Sequence, residues 1–436
     1  MFSAIINAFK IPDLRKKILF TLMIIIFYRI GCHIPAPGVN VATVAETAAN
    51  NAALGMLNLF TGGALERMSM FALGVMPYIT SSIIMQLLQA AIPALERMSK
   101  EEAGQRKITQ ITRYITIGIG LVEAMGMLWI FRTAVQDVPG APWLAPVMIV
   151  GTLLAGTVLI MWVSELITQR GVGNGMSMII FSSIVARFVP TLYQAFTKPG
   201  ATWIDNLTLA TITAGVLLVV IFVVIYIEEG QRRIPVQYAK RVVGRRVYGG
   251  SGTYIPLKVN GASVVPMIFA SAILTIPAQL AQIFPGTAWI QSIASFTSGA
   301  AMNSGAIERV WYADWGNWLI TFALIVFFAY FYTALVFNPV DISDNLRKQG
   351  GFIPGLRPGI NTQRYIEQVM NRITLPGALF LGTIAVGTSV LFGVTGNSMV
   401  QQFGGTSVLI MVGVALETMR QIESQLTMRH YDGFFK

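Results

Sequence analysis

Residues 57–88 read LNLFTGGALERMSMFALGVMPYITSSIIMQLL. From Phe71 onward the stretch is apolar and long enough to enter a membrane, yet the preceding residues carry a glycine pair, Gly62 and Gly63, and an adjacent Glu66–Arg67. Glycine loosens a helix interior, and a charge in hydrocarbon is expensive. A single continuous membrane helix is therefore a poor account of this segment. Why a hydrophobic span should carry both at its mouth is the question the rest of the chain must answer.

The rest of the chain agrees that the solvent is lipid. Of 436 residues, 54% are hydrophobic and only 12% charged, about half the charged fraction of a soluble domain. Residues 207–227, LTLATITAGVLLVVIFVVIYI, carry no charge, and a helix of ~20 residues suffices to cross a bilayer. Further apolar runs at about 18–34, 71–92, 108–131, 145–167, 175–193, 261–284, 317–337, 374–394 and 407–426 bring the expected spans to ten. Residues 1–17, MFSAIINAFKIPDLRKK, lack a small-residue cleavage site and read as an amphipathic segment lying on the cytosolic face of the membrane.

Ten spans put both termini on one side, and the basic residues choose which. Of the 31 Lys and Arg residues, 25 fall in the termini and alternate loops that share a side, five fall in the opposite loops, and Arg29 lies within the first span. Positive charge accumulates on the cytosolic side, so both termini are expected in the cytosol. Two cytosolic connections are long. Residues 229–260 alternate basic with β-branched or aromatic residues around Gly249-Gly250-Ser251-Gly252, which predicts a β-hairpin-like projection. Residues 338–373 predict a short helix, a Gly/Pro-rich tip at GFIPGLRPG and a second helix.

The tools of catalysis and of coupled transport are missing. No Gly-Lys dipeptide supports a phosphate-binding loop, and His33 and His430 are too few for a histidine-based metal set. No catalytic residue and no metal or cofactor site is assigned. Cys32 is the sole cysteine and reads as a small packing residue. GVGNG at 171–175 superficially resembles a nucleotide fingerprint but joins two membrane spans, so a tight cytosolic turn accounts for it. Within the spans Arg29 and Glu123 are clear charges, with Glu165 and Glu417 near span ends. Ion-coupled transport normally needs ionisable groups near the bilayer midplane, and isolated charges are more simply helix-packing partners. A passive pathway is what remains.

Polar residues mark one face of the second span. Ser82, Gln86 and Gln89 recur at i, i+4 and i+7, so their face should meet another helix or water. Ordinary interhelical contact explains this as readily as a functional seam does. The seventh span carries Pro266 and Pro277, each able to kink it.

Several motifs, in order along the chain, resemble the bacterial SecY family of protein-conducting channels. They are GGALERMSMFALGVMPYITSSIIMQLL, RGVGNGMSMIIF, EEGQRRIPVQYAKR with GRRVYGG and YIPLKVN, FYTALVFNPVDISDNLRKQGGFIPGLRPG, and GGTSVLIMV. The resemblance implies an all-α polytopic membrane protein with ten transmembrane helices in two pseudo-symmetric, inverted five-helix halves. These would be residues 18–193 and 194–426, with a cytosolic tail over 427–436. Together they would form an hourglass pore with a plug and a lateral gate. It implies a mid-membrane ring of Val75, Ile79, Met176, Ile180, Ile268 and Ile410. On the residues alone each of these is plain core packing. A valine and a methionine depart from an all-isoleucine ring and imply a somewhat looser seal. Ser82, Gln86 and Asn260 would belong to the lateral gate, between the second and third spans and the seventh and eighth.

The same resemblance makes the two cytosolic loops a docking platform for the motor ATPase SecA or for the ribosome, including its RNA phosphates. Its basic residues would be Arg232, Arg233, Lys240, Arg241, Arg245 and Arg246, with Arg357 at the second tip. SecE-like and SecG-like small membrane subunits, unfolded secretory and membrane-protein precursors, and the lipid bilayer are the other implied partners. The location implied is the bacterial inner membrane. In this family residues 57–70 would be a plug folded into the outer funnel. Leu57, Leu59, Phe60 and Leu65 would then rest on the apolar ring, Gly62 and Gly63 would supply the break, and Glu66 and Arg67 would sit in an aqueous vestibule. An amphipathic loop that merely caps the bundle fits the same residues. Two rivals are a secondary transporter of small solutes, disfavoured by scarce midplane charge and large basic loops, and a membrane enzyme, disfavoured by the missing catalytic sets.

Overall fold

The computed structural model describes residues 8–49, 54, 58, 60–136, 140–196, 203–238, 241–243, 246–248, 253–284, 286–298, 311–394 and 405–432. Each of the ten apolar runs falls on a helix, because a stretch in lipid must satisfy its backbone internally. These helices are α1 (Pro12–Gly31), α3 (Met76–Ala91), α5 (Glu102–Ile130), α6 (Leu144–Arg170), α7 (Gly175–Phe196), α8 (Trp203–Glu228), α9 (Val265–Ile283), α11 (Trp311–Val336), α13 (Ile360–Val394) and α14 (Gly405–Asp432). Shorter helices lie between them: α2 (Val41–Ala49), α4 (Pro93–Lys100), α10 (Ala288–Ser298) and α12 (Pro339–Lys348). Among the described residues, Glu102–Ile130, Leu144–Arg170, Trp315–Lys348 and Ile360–Thr388 are each long and apolar enough to cross a membrane unaided.

Helix ends follow local chemistry. Pro93 ends α3 and turns the chain through 106° into α4, since a proline disfavours helix in the residue before it. Pro266 was expected to kink the seventh span, but it lies in the first turn of α9, where the absent N–H has no partner to lose. Only Pro277 is internal to that helix. The expected surface segment also shifts. Residues 12–17 are not a separate element but the first turns of α1, which starts at its own proline.

The membrane helices pack as two groups. In the first, α5 packs on α3 and α6, α6 on α7, and α1 on both α6 and α7; in the second, α11 packs on α9 and α13, and α14 on α8, α9 and α13. The groups meet along two seams. On one, α7 packs against α8 and α14; on the other, α9 packs against α3 and α5. A single hydrophobic core runs through both groups.

The two long loops form one body. β1 (Gln231–Tyr238) pairs antiparallel with β4 (Thr253–Lys258), Ile234 opposite Ile255, and also with β5 (Gly351–Phe352) from the other loop, giving the sheet order β4-β1-β5. Ile234, Val236 and Leu257 bury one sheet face against Leu346, Ile353, Ile366 and Met370. Farther out, β2 (Arg241–Val243) pairs with β3 (Arg246–Tyr248), Val243 opposite Arg246. β2 and β3 therefore reverse between Val243 and Arg246, while the glycine-rich 249–252 run, where the turn was expected, lies outside the described residues.

Candidate pore, plug and gate

The six ring residues come from the beginnings of four helices. Val75 directly precedes α3 and Ile79 lies one turn in, Met176 and Ile180 lie in the first turns of α7, Ile268 in the first turn of α9, and Ile410 in the second turn of α14. These helices line both seams between the groups. Val75, Ile79, Ile180, Ile268 and Ile410 are buried in the same contiguous core, and Met176 packs against it half-buried. Such a cluster of branched apolar side chains gives neither water nor an ion a polar partner.

The stretch before α3 is seated on this core by apolar contact and by specific polar ties. Leu54, Phe60, Ala64, Leu65 and Met68 are buried in it. Leu57 and Leu59 lie outside the described residues. Gly62 and Gly63 have φ of 65° and 91°, a region costly for any residue with a Cβ. The reversal they produce aims the Gly62 carbonyl at α1, where the Arg29 guanidinium donates to it at 3.0 Å. The Tyr28 hydroxyl, fully buried, hydrogen-bonds Ser183 Oγ of α7 at 2.9 Å and reaches the Thr61 carbonyl at 3.5 Å. Glu66 pairs with Arg187 of α7 and also accepts from the Asn58 side-chain amide. Arg67 is solvent-exposed, whereas Glu66 is only partly so. Behind this segment Gly156 of α6 lets the backbone of Met70 approach so closely that a Cβ would lie 1.8 Å from its carbonyl oxygen.

On α3, Gln86 Nε2 donates to Ser82 Oγ at 3.3 Å, while Gln86 Oε1 is buried without a hydrogen-bond partner. Asn260 does not join them. Its amide is buried and donates to Glu228 at the end of α8 and to the Ser263 carbonyl, at 3.0 Å for the latter. It thereby ties the base of the hairpin to the start of α9. Lys258 nearby has its ammonium pushed below the usual lysine range, first by burial and then by the Arg420 charge.

On the platform, Arg232 and Arg233 are both exposed near the start of β1 but on opposite faces of the strand, with Arg233 stacked 4.8 Å from the Tyr254 ring centroid. Arg241 lies in β2 and Arg246 in β3, while Lys240 and Arg245 fall outside the described residues. Arg357 is exposed on a tip whose neighbours Ile353 and Leu356 pack into the core below it.

Sequence reasoning missed the residues that seat the segment. Arg29 was visible as a charge inside an apolar span, but Tyr28, Ser183 and Arg187 gave no local signal. A second interhelical ion pair, Arg113 of α5 with Glu165 of α6, is bidentate and joins neighbouring helices.

The SecY family model matches residues 69–419. The chain belongs to the SecY family. A protein translocase subunit SecY of Streptomyces galbus is 47% identical over 459 residues, and that of Mycobacterium tuberculosis (strain ATCC 25618 / H37Rv) 43% over 463, each alignment covering 100% of both chains. Among solved structures, one described as the structure of a protein conducting channel matches with a TM-score of 0.66 at 16% identity, over 96% of each chain. Sec61 in a canine ribosome–channel complex from the endoplasmic reticulum matches with a TM-score of 0.61 at 15% identity, also over 96% of each chain. At those identities the structural likeness concerns the fold, and the fold is that of the SecY family: helical, polytopic and built for a membrane.

Proposed function

We propose that the chain is the central, pore-forming subunit of a protein translocation channel. It conducts unfolded polypeptides across the membrane and releases apolar segments sideways into lipid. The observation that carries this reading is that the beginnings of four helices, from both groups, feed apolar residues into one contiguous core, which a segment pinned through Arg29, Tyr28 and Arg187 also joins. A ring of Val75, Ile79, Met176, Ile180, Ile268 and Ile410 closes by dewetting when empty and deforms around a chain. Residues 57–70 act as the plug. The α3–α9 seam, with Ser82 and Gln86, is the lateral gate, and Asn260 acts at its cytosolic edge through Glu228. A segment meeting lipid there partitions by its transfer free energy, about −0.5 kcal/mol per leucine and about +3 per central lysine or arginine.

Residues 18–193 and 194–426 are the two halves, and the existence of two seams supports that division. The energy comes from outside the chain: from the motor ATPase SecA, from translation by a docked ribosome, or from the proton-motive force. The shared sheet of the two cytosolic loops supports a single docking surface, with Arg232, Arg233, Arg241 and Arg246 along the hairpin and Arg357 at the second tip. SecE-like and SecG-like subunits complete the complex in the bacterial inner membrane, with both termini in the cytosol. A small-solute transporter gains no support, since Arg29 and Arg113 are engaged by a carbonyl and by Glu165.

The test is reconstitution with a SecE partner in liposomes, with SecA, ATP and a secretory precursor. Protection of the precursor from external protease is expected. A precursor that stays digestible beside a competent control defeats the channel reading.

A further inference from the structure

The polar ties of residues 58–70 have a one-sided distribution. Arg29 and Tyr28, which bond the Gly62 and Thr61 carbonyls, belong to α1, and Arg187, which pairs with Glu66, belongs to α7, all within the first helix group; Ser183 of α7 supports Tyr28. Among the described residues, no hydrogen bond or ion pair links this segment to α8, α9, α11, α13 or α14. Only apolar contact, through Phe60, Leu65 and Met68, reaches the core that both groups share. The gate seam lies elsewhere, where α9 of the second group meets α3 and α5.

We infer that Arg187 and Glu66 form an ionic latch that holds the plug to the first half, so that parting of the gate does not by itself unseat the plug. This rests on the channel reading above and adds to it. When α9 moves away from α3, the Glu66–Arg187 pair, the Arg29 bond to Gly62 and the Tyr28–Ser183 bond all travel together. Apolar contact is lost gradually and without direction, whereas an ion pair must be exchanged for another partner or for water. Unseating therefore requires competition at the latch itself. Arg187 is a positioning residue in this scheme: it touches the plug, not the translocating chain. Its side chain is 24% exposed and that of Glu66 41%, so the pair is accessible enough to be exchanged.

The experiment measures resting potassium efflux from liposomes holding the complete channel complex, without precursor, with Cys32→Ser in every chain compared. Arg187→Gln and Glu66→Gln are each expected to raise efflux about fivefold, the scale of a partly exposed ion pair. The double variant should leak no more than the worse single one, because both remove the same interaction. The swap Glu66→Arg with Arg187→Glu should restore the seal, which general loss of packing would not allow. With a disulfide locking α3 to α9, the raised efflux of Arg187→Gln should persist. Unchanged efflux, additive singles, a swap that leaks, or a leak abolished by locking the gate each overturns the latch. A chain lacking residues 57–70 serves as the control. If it leaks while Arg187→Gln stays tight, the latch alone is wrong; if it too stays tight, the channel reading fails with it.

Discussion

Gly62→Ala is expected to unseat the plug, and the structure sets the scale. At φ of 65° an alanine incurs about 1–2 kcal/mol that glycine does not. Its Cβ would also lie 2.5 Å from Arg29 Nη1 and 3.0 Å from Ser183 Cα. The guanidinium can swing aside, but it then forfeits its bond to the Gly62 carbonyl, and a charged hydrogen bond is worth about 1.5–3 kcal/mol. The α7 backbone at Ser183 has no such freedom. A combined loss of about 3 kcal/mol lowers the ratio of seated to unseated plug roughly a hundredfold. Gly63→Ala is the internal control. Its φ of 91° imposes comparable strain, but its nearest neighbours, atoms of Arg187, would be 3.7 and 3.8 Å away. Resting potassium efflux from proteoliposomes should therefore rise steeply for Gly62→Ala and about tenfold less for Gly63→Ala. A tight Gly62→Ala channel, or equal leakage from the two variants, refutes the assignment of Gly62 to the seat.

Three further outcomes follow from the same coordinates. Arg357→Glu should reduce motor-driven translocation without changing resting efflux or thermal stability, because the side chain is exposed and only its neighbours are packed; normal translocation removes it from the docking surface. Glu165→Ala leaves Arg113 unpaired between α5 and α6 and should lower stability by about 1–3 kcal/mol, while Glu165→Gln, which keeps an acceptor, should lower it less, as read by thermal unfolding in detergent. Lys258→Met should raise the Tm at pH 7. With its pKa lowered in the fold, charged Lys258 opposes folding below its ordinary range, so the gain should shrink as pH climbs toward about 10.4; a gain that grows with pH contradicts the burial of Lys258.

The membrane helices were legible because their cause is local. An apolar run of about 20 residues in lipid has one way to satisfy its backbone, and every expected run has its helix. The alternation in 229–260 likewise announced strands, since period two needs only neighbouring residues. Turn position was less legible. Gly249–Gly252 is the stronger local turn signal, yet the pairing of Val243 with Arg246 shows a reversal that no glycine pair marks in the sequence. The pairing register, not glycine content, decided it.

For the candidate site, composition could propose the apolar ring only with the family's help, because an isoleucine in a ring and one in a core look alike in sequence. The plug seat was hidden more deeply. Arg29 and Gly62 are 33 residues apart and Glu66 and Arg187 are 121 apart, and no periodicity connects such partners. Nor could the sequence show that the Asn260 amide, expected at the gate, would donate to Glu228, 32 residues away.

By itself, then, the amino-acid order determined which segments enter the membrane and where it is interrupted, down to the glycine pair that divides residues 57–88. Which of the few charges left in the spans would meet, that β5 would join two loops into one sheet, and that Glu66 would pair with Arg187 and Gly62 with Arg29 were decided only by the tertiary fold. The reason is physical: backbone satisfaction and transfer into lipid act along a short stretch of chain, whereas a buried charge takes whatever partner the packing of distant helices brings within reach.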